Sequence, residues 1–211
     1  MDKARKIIKI VGLVALFSFC AAMILRIIFS QYYPSSVSKV YYTDPLRTYY
    51  EENGGVSLKT QHIRIYQDDS GSGAFYASNL IFEEKAGNLQ VTLRYNDSAL
   101  DDIADFYKKD KAEAQEGAFT YRIFAYKGTD ENGNVIGDSY NTSAVIHDRL
   151  WFYNYDKAVF DGIDFDGVEL IEVDIYLAGE EKMFSHIVIF ENTETFSKFS
   201  DYKLGKGEIP K

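Results

Sequence analysis

With 211 residues, 16% aromatic side chains, three prolines and a single cysteine, the chain has enough material for one folded domain and a short extension without disulfide staples. A net charge of −9 argues against nucleic acid as a partner, because an acidic surface repels phosphates. The 17 Tyr and 15 Phe argue against disorder and for strands, where aromatic and β-branched side chains pack well.

The first 30 residues hold Lys3, Arg5, Lys6, Lys9 and Arg26 against Asp2 alone, so the rest of the chain carries the acidic excess. Residues 1–6 read as a basic cytoplasmic tail and 7–29 as a transmembrane helix. Ile10 to Leu25 contains no charge, and a bilayer core needs about 20 predominantly apolar residues in a helix. Lys9 and Arg26 sit near its ends, where long side chains snorkel to the headgroups. Four basic residues precede the run and one closely follows it, so the positive-inside bias puts the N-terminus in the cytoplasm and the remainder outside. The rival reading is a cleaved signal peptide ending at Cys20-Ala21-Ala22. The apolar run continues past that point through Ile28 and Phe29, which favours a retained anchor.

Tyr32 and Tyr33 fall where an interfacial belt belongs, and residues 30–38, with Pro34 and three serines, read as a linker. Residues 39–204 read as the extracytoplasmic domain and 205–211 as a polar tail. Leu89, Val91, Leu93 and Tyr95 alternate with Gln90, Thr92 and Arg94, the pattern of a strand with one buried face. Ile171, Val173, Ile175 and Leu177 alternate likewise. Further strands are expected over 56–66, 74–82, 118–127, 143–155 and 183–191, the last apolar on both faces like a strand in mid-core. Glu131-Asn132-Gly133-Asn134 reads as a hairpin turn, since Asn-Gly accepts positive φ. One short helix is expected near 98–117, capped by Ser98, striped by Leu100, Ile103, Phe106 and Tyr107, and ended by Gly117. The expected fold is mainly β, a two-layer antiparallel β-sandwich of jelly-roll or immunoglobulin-like type with that one helix, behind a single N-terminal transmembrane helix. A cysteine-free exterior and a membrane anchor suit a bacterial cell surface.

Chemistry-bearing motifs are few. His62, His147 and His186 stand alone in their segments, without the i, i+4 spacing of a helical metal pair. Asp69-Ser70-Gly71-Ser72 resembles the Asp-Ser/Thr-Gly element of aspartic proteases, which implies a paired aspartate. Here, however, Gln67 and Asp68 stand where that family has apolar residues, no second copy follows, and a hairpin loop accounts for the same residues. No cofactor is expected. Asp161, Asp164 and Asp166 are the metal candidates, with calcium as the cation their hard oxygens suit, although neither they nor Asp130-Glu131-Asn132 have EF-hand spacing.

Trp151, Tyr153 and Tyr155 are the ligand-binding candidates, since flat rings on a strand stack on sugar faces or form protein interfaces. The expected function is therefore a non-enzymatic protein-interaction module or accessory subunit of a cell-envelope assembly, with an envelope protein as partner. The alternatives are a carbohydrate or wall-polymer binding module that uses the aromatic strip, and a surface hydrolase.

Overall fold

The structure is a computed structural model of the full chain that describes residues 2–29, 34–61, 66–70, 73–110, 112, 119–191 and 200–204. The expected interfacial Tyr32 and Tyr33, His62, the Gly117 helix stop and the 205–211 tail lie outside these residues. Helix α1 (Asp2–Phe29) contains a 20-residue stretch, Lys6–Leu25, with mean hydropathy 2.5 and none of it buried against the rest of the protein. It is long and apolar enough to cross a membrane.

The remainder is built from two antiparallel sheets. The larger holds β1 (Val56–Gln61), β2 (Tyr66–Gln67), β3 (Phe75–Glu83), β4 (Asn88–Tyr95), β7 (Ala144–Leu150), β8 (Tyr153–Phe160) and β11 (Ser200–Leu204). Its order is β11-β1-β3-β4-β8-β7, with β2 paired to β3. The smaller holds β5 (Phe119–Thr129), β6 (Val135–Asn141), β9 (Leu170–Leu177) and β10 (Ser185–Glu191), in the order β10-β9-β5-β6. The alternating apolar residues of β3, β4, β5, β9 and β10 form one core cluster between the sheets. Phe119 of the smaller sheet meets Phe75 and Tyr95 of the larger edge-on, at 5.3 and 5.1 Å, a favoured packing of ring quadrupoles.

Several local expectations need correction. Among the described residues three short helices, not one, accompany the sheets: α2 (Ser35–Ser38), α3 (Asp44–Asn53) and α4 (Asp97–Tyr107). The α3 signals were present in the sequence: Thr43 caps it by accepting from the Leu46 amide, Pro45 occupies its first turn, and Gly54 closes it in the left-handed region. Asn96, not Ser98, caps α4; its side chain accepts from the Ala99 amide while the Ser98 hydroxyl bonds back to it. The helix ends at Tyr107, with Lys108 left-handed. Ile103, Ala99 and Ala104 are buried and Leu100 packs beside them, so the apolar stripe closes one end of the core.

Strand β10 lies at the end of its sheet rather than in the middle. His186 and Val188 are half-exposed, and a register shift between Val188 and Phe190 allows Ile189 and Phe190 both to be buried. The 143–155 run is two strands with a turn at Trp151-Phe152. The 131–134 turn does join β5 to β6, as a loop of residues 130–134 held by the Asp130 carboxylate, which accepts from the amides of Asn132 and Asn134.

The largest departure concerns β4, which is buried on both faces. Residues 34–54 form a strap across the outer face of the larger sheet. Leu46, Tyr42 and Tyr50 pack there on Val56, Leu58 and Ile81 in a second apolar cluster. The polar side chains beneath are satisfied by the strap's own backbone, as buried polar groups must be. Gln90 accepts from the Tyr41 amide at 2.8 Å and donates to the Tyr41 carbonyl at 2.7 Å. Thr92 donates to the Val37 carbonyl at 3.0 Å. Residues 35–38, within the stretch read as a linker, thus form α2 with Val37 fully buried.

The strap has a direction. Ser36 bonds Asp148, which pairs with Tyr155 of β8. Val37 and Lys39 meet Thr92 and Lys157, which pair with each other. Tyr41 meets Gln90, opposite Val159, and Thr43 reaches Asp161. The chain therefore arrives from α1 at the end of the sheets marked by the β7–β8 turn, the entry end, and runs toward Asp161 at the far end.

Candidate functional site

At the far end the β3–β4 turn faces the loop that follows β8. Gly87 has φ +62, and a Cβ there would stand 2.8 Å from the Ile163 carbonyl oxygen. Glycine therefore permits the close approach in which the Ile163 amide donates to the Gly87 carbonyl at 3.0 Å. The opposing walls enclose a cleft of about 720 Å³, lined by Glu84, Lys85, Phe165, Asp166, Val168 and Phe190 among others. Below it, Leu80, Phe82, Leu89, Phe165, Ile171, Ile189 and Phe190 line a narrow apolar pocket between the sheets. Phe165 and Phe190 are common to both, and the Phe165 ring lies 5.7 Å from that of Phe82. A concave site with an apolar floor and a few charged groups on its rim is the usual form of a binding site.

The candidate metal ligands lie along this loop but face different ways. The Asp161 carboxylate accepts from Thr43 Oγ1 and Asn88 Nδ2, both at 2.8 Å, and so fastens the strap to β4. Asp164 accepts from Lys127 Nζ at 2.7 Å and from the Asp166 amide at 3.0 Å. The Lys127 hydrogen bond holds its carboxyl below the usual range. The Asp164 amide donates to the Tyr140 hydroxyl at 3.1 Å, so the β5–β6 hairpin braces the loop. Asp166 is exposed on the cleft wall. Among the described residues no three His, Cys, Asp or Glu side chains gather as a metal site would require.

The aromatic candidates also separate. Tyr155 is fully buried on the face covered by the strap. Tyr153 is half-buried, with the Arg94 guanidinium 4.8 Å above its ring and the same guanidinium 5.1 Å from Tyr76. Trp151 is 61% exposed at the β7–β8 turn, beside Phe152 at 54%. The three side chains do not share one exposed row, because neighbours two apart on a strand share a face while the turn residue leaves it.

Two His–Asp pairs come together that spacing could not reveal. His147 Nδ1 lies 2.6 Å from Asp156 Oδ1, and the Tyr121 hydroxyl donates to Asp156 Oδ2 at 2.5 Å. His186 Nδ1 lies 2.9 Å from Asp69 Oδ2. Ser185 Oγ donates to Asp69 Oδ1 at 2.5 Å, with its hydroxyl given to the carboxylate rather than to the imidazole. That arrangement lacks the serine-to-histidine hydrogen bond of a nucleophilic triad. Asp69, the aspartate of the Asp-Ser-Gly element, therefore ties the loop before β3 to the start of β10. Partners 35 and 116 residues apart leave no sequence signal beyond the presence of the residues themselves.

Comparison of the chain with family models, with curated proteins and with solved structures finds no match.

Proposed function

We propose that this chain is a single-pass membrane protein with its N-terminus in the cytoplasm, and that its β domain is a non-enzymatic interaction module outside, an accessory subunit of a bacterial cell-envelope assembly. We read the two sheets as the layers of a sandwich. The chain crosses between them after β4, β6, β8 and β10. The observation that carries the functional reading is the placement of the cleft. It opens at the far end, beside the β5–β6 hairpin with its exposed Val135 and Ile136, while the strap brings the chain in at the opposite end. With α1 in the membrane, cleft and hairpin face outward, where a partner would meet them. The basic flank of α1 supports the orientation.

Photo-crosslinking amino acids placed at Lys85, Asp166 and Ile136 in the full-length protein test this, with Glu181, exposed in the β9–β10 turn at the entry end, as the control. The expected result is one common protein adduct from the three far-end positions and none from Glu181. Adducts to wall polymer would move the reading to the glycan-binding alternative. An adduct pattern without preference for the far end would refute the reading.

A further inference from the structure

We propose that the Trp151-Phe152 tip of the β7–β8 hairpin sits in the headgroup–acyl boundary of the membrane that α1 enters, as a second membrane contact that fixes how the domain stands. The inference rests on the reading of α1 as a membrane anchor and extends it to a surface of the domain itself.

Three observations converge. The first is exposure: the two largest apolar side chains of the turn, at 61% and 54%, project side by side with ring centroids 6.4 Å apart. The second is conformation. Trp151 has φ +57, a left-handed backbone that glycine or asparagine adopts far more readily. A bulky aromatic held at such cost on an exposed turn points to a task for the ring outside the fold. The turn is also firmly held. Arg149 Nη2 and Asn154 Nδ2 both donate to the Asp97 carboxylate at 3.2 Å, tying both strands of the hairpin to the start of α4, and Arg94 lies over the Tyr153 ring.

The third is position. Among the described residues the strap's first contact with the sheet is at the level of Tyr155, and the hairpin tip lies three to four residues beyond, about 10–13 Å at the rise of a strand. It projects toward the end from which the chain arrives. Only five peptide steps separate Phe29, the last residue of α1, from Pro34, a reach of at most about 18 Å. The bilayer surface and the tip are thus held at comparable distances from the strap's first contact. Trp is favoured at that boundary because its ring is apolar and its N–H is polar.

Charge defines the kind of surface. Asp97 at the start of α4 is paired with Arg149 of the hairpin, and the same helix exposes Asp102 and Asp105, so the local charge does not favour anionic headgroups. The contact is apolar insertion into neutral lipid rather than electrostatic adsorption.

Trp151 is the only tryptophan in the chain, so its fluorescence reports the tip directly. The test uses the full-length protein in phosphatidylcholine vesicles, with and without lipid brominated near the headgroup end of the acyl chains. The expected result is a blue-shifted emission that loses intensity in brominated vesicles, with no gain in quenching when anionic lipid is mixed in. A Trp151→Phe, Val135→Trp variant moves the tryptophan to the far-end hairpin and should show red-shifted emission unaffected by bromine. Alkaline flotation of the same vesicles checks the anchor separately. Protein that fails to float overturns the anchor reading itself. Protein that floats while Trp151 behaves like the Val135→Trp reporter overturns the tip contact alone. Blue-shifted emission without bromine quenching would mean that protein, not lipid, covers the tip, and would also overturn it. Quenching that appears only with anionic lipid would overturn the apolar-insertion mechanism.

Discussion

The phenol of Tyr121, on the smaller sheet, donates to the buried carboxylate of Asp156, on the larger, at 2.5 Å. This polar tie crosses an otherwise apolar interior, and burial together with the neighbouring carboxylate pushes the Tyr121 hydroxyl well above its ordinary pKa. Asp156 keeps its second oxygen for His147. Tyr121→Phe removes one partner from a fully buried carboxylate and should lower unfolding free energy by about 1.5–3 kcal/mol, the range for hydrogen bonds to charged groups. His147 is partly solvent-exposed, so water replaces it more readily and His147→Ala should cost less. Urea unfolding followed by circular dichroism would rank the two; equal or reversed costs would contradict this account.

Lys157 gives the domain a pH dependence of the same sense as acid denaturation, but in the alkaline range. It is fully buried beneath the strap, with Nζ on the Lys39 carbonyl, and burial lowers its pKa from 10.5 to about 8. Between these values the unfolded chain binds more protons than the folded one, so stability from this group rises with pH from about 8 to 10.5 and is lost as pH falls through 8. The full effect is about 3 kcal/mol at 1.36 kcal/mol per pKa unit. Lys157→Met should flatten the rise between pH 8 and 10. It should also stabilise the domain at pH 7, because the charge no longer has to be buried. Denaturation midpoints of both proteins across that interval provide the comparison.

Gln90 is the strap's central fastening, bonded in both directions to the Tyr41 backbone. Gln90→Leu keeps the bulk but strands a backbone amide and a carbonyl, at about 1–3 kcal/mol for a buried group left unpaired. The loss should be local. Hydrogen exchange is expected to rise over residues 37–50 while β5 and β9, in the other sheet, remain protected. Uniform loss of protection would show that the strap and both sheets unfold as one unit.

Two glycines separate steric from conformational demands at the far end. Gly133 has φ +82 and open space around it, so Gly133→Ala should cost about 1 kcal/mol through its backbone alone. Gly87 combines positive φ with Ile163 backbone atoms at 2.8 and 3.0 Å from a built Cβ. Gly87→Ala should therefore cost more, about 2–4 kcal/mol, and should spread the walls of the cleft. Thermal unfolding of both variants measures the difference, which must be clearly in favour of Gly133→Ala.

Asp161 is the predicted metal ligand that fastens the strap to the larger sheet, since it holds both Thr43 and Asn88. Asp161→Ala should lower stability by about 1–3 kcal/mol equally with and without millimolar calcium. Should calcium raise the wild-type melting temperature and leave the variant unchanged, Asp161 would belong to a cation site instead.

The sequence by itself determined the apolar helix, the class of the domain and most of its strands. Uninterrupted apolar length sets α1, and period-two alternation sets β4, β5 and β9, because both are local demands of burial on a regular backbone. It also placed the turn at 131–134, where Asn-Gly satisfies local turn geometry. The tertiary structure alone decided what those elements face. Gln90 and Thr92 read as solvent-facing until the strap covers them, and Lys157 shows nothing in its neighbours to say that it is buried. Tyr155 goes under the strap while Trp151, four residues earlier, goes out to the turn. The cleft needs Gly87 and Ile163 brought together across 75 intervening positions, and the ties of Asp156 and Asp69 join partners from different sheets or distant loops. Burial patterns report whether a side chain has an apolar side to turn to. Which segment supplies the other surface depends on how the chain closes on itself, and no window of sequence contains that contact.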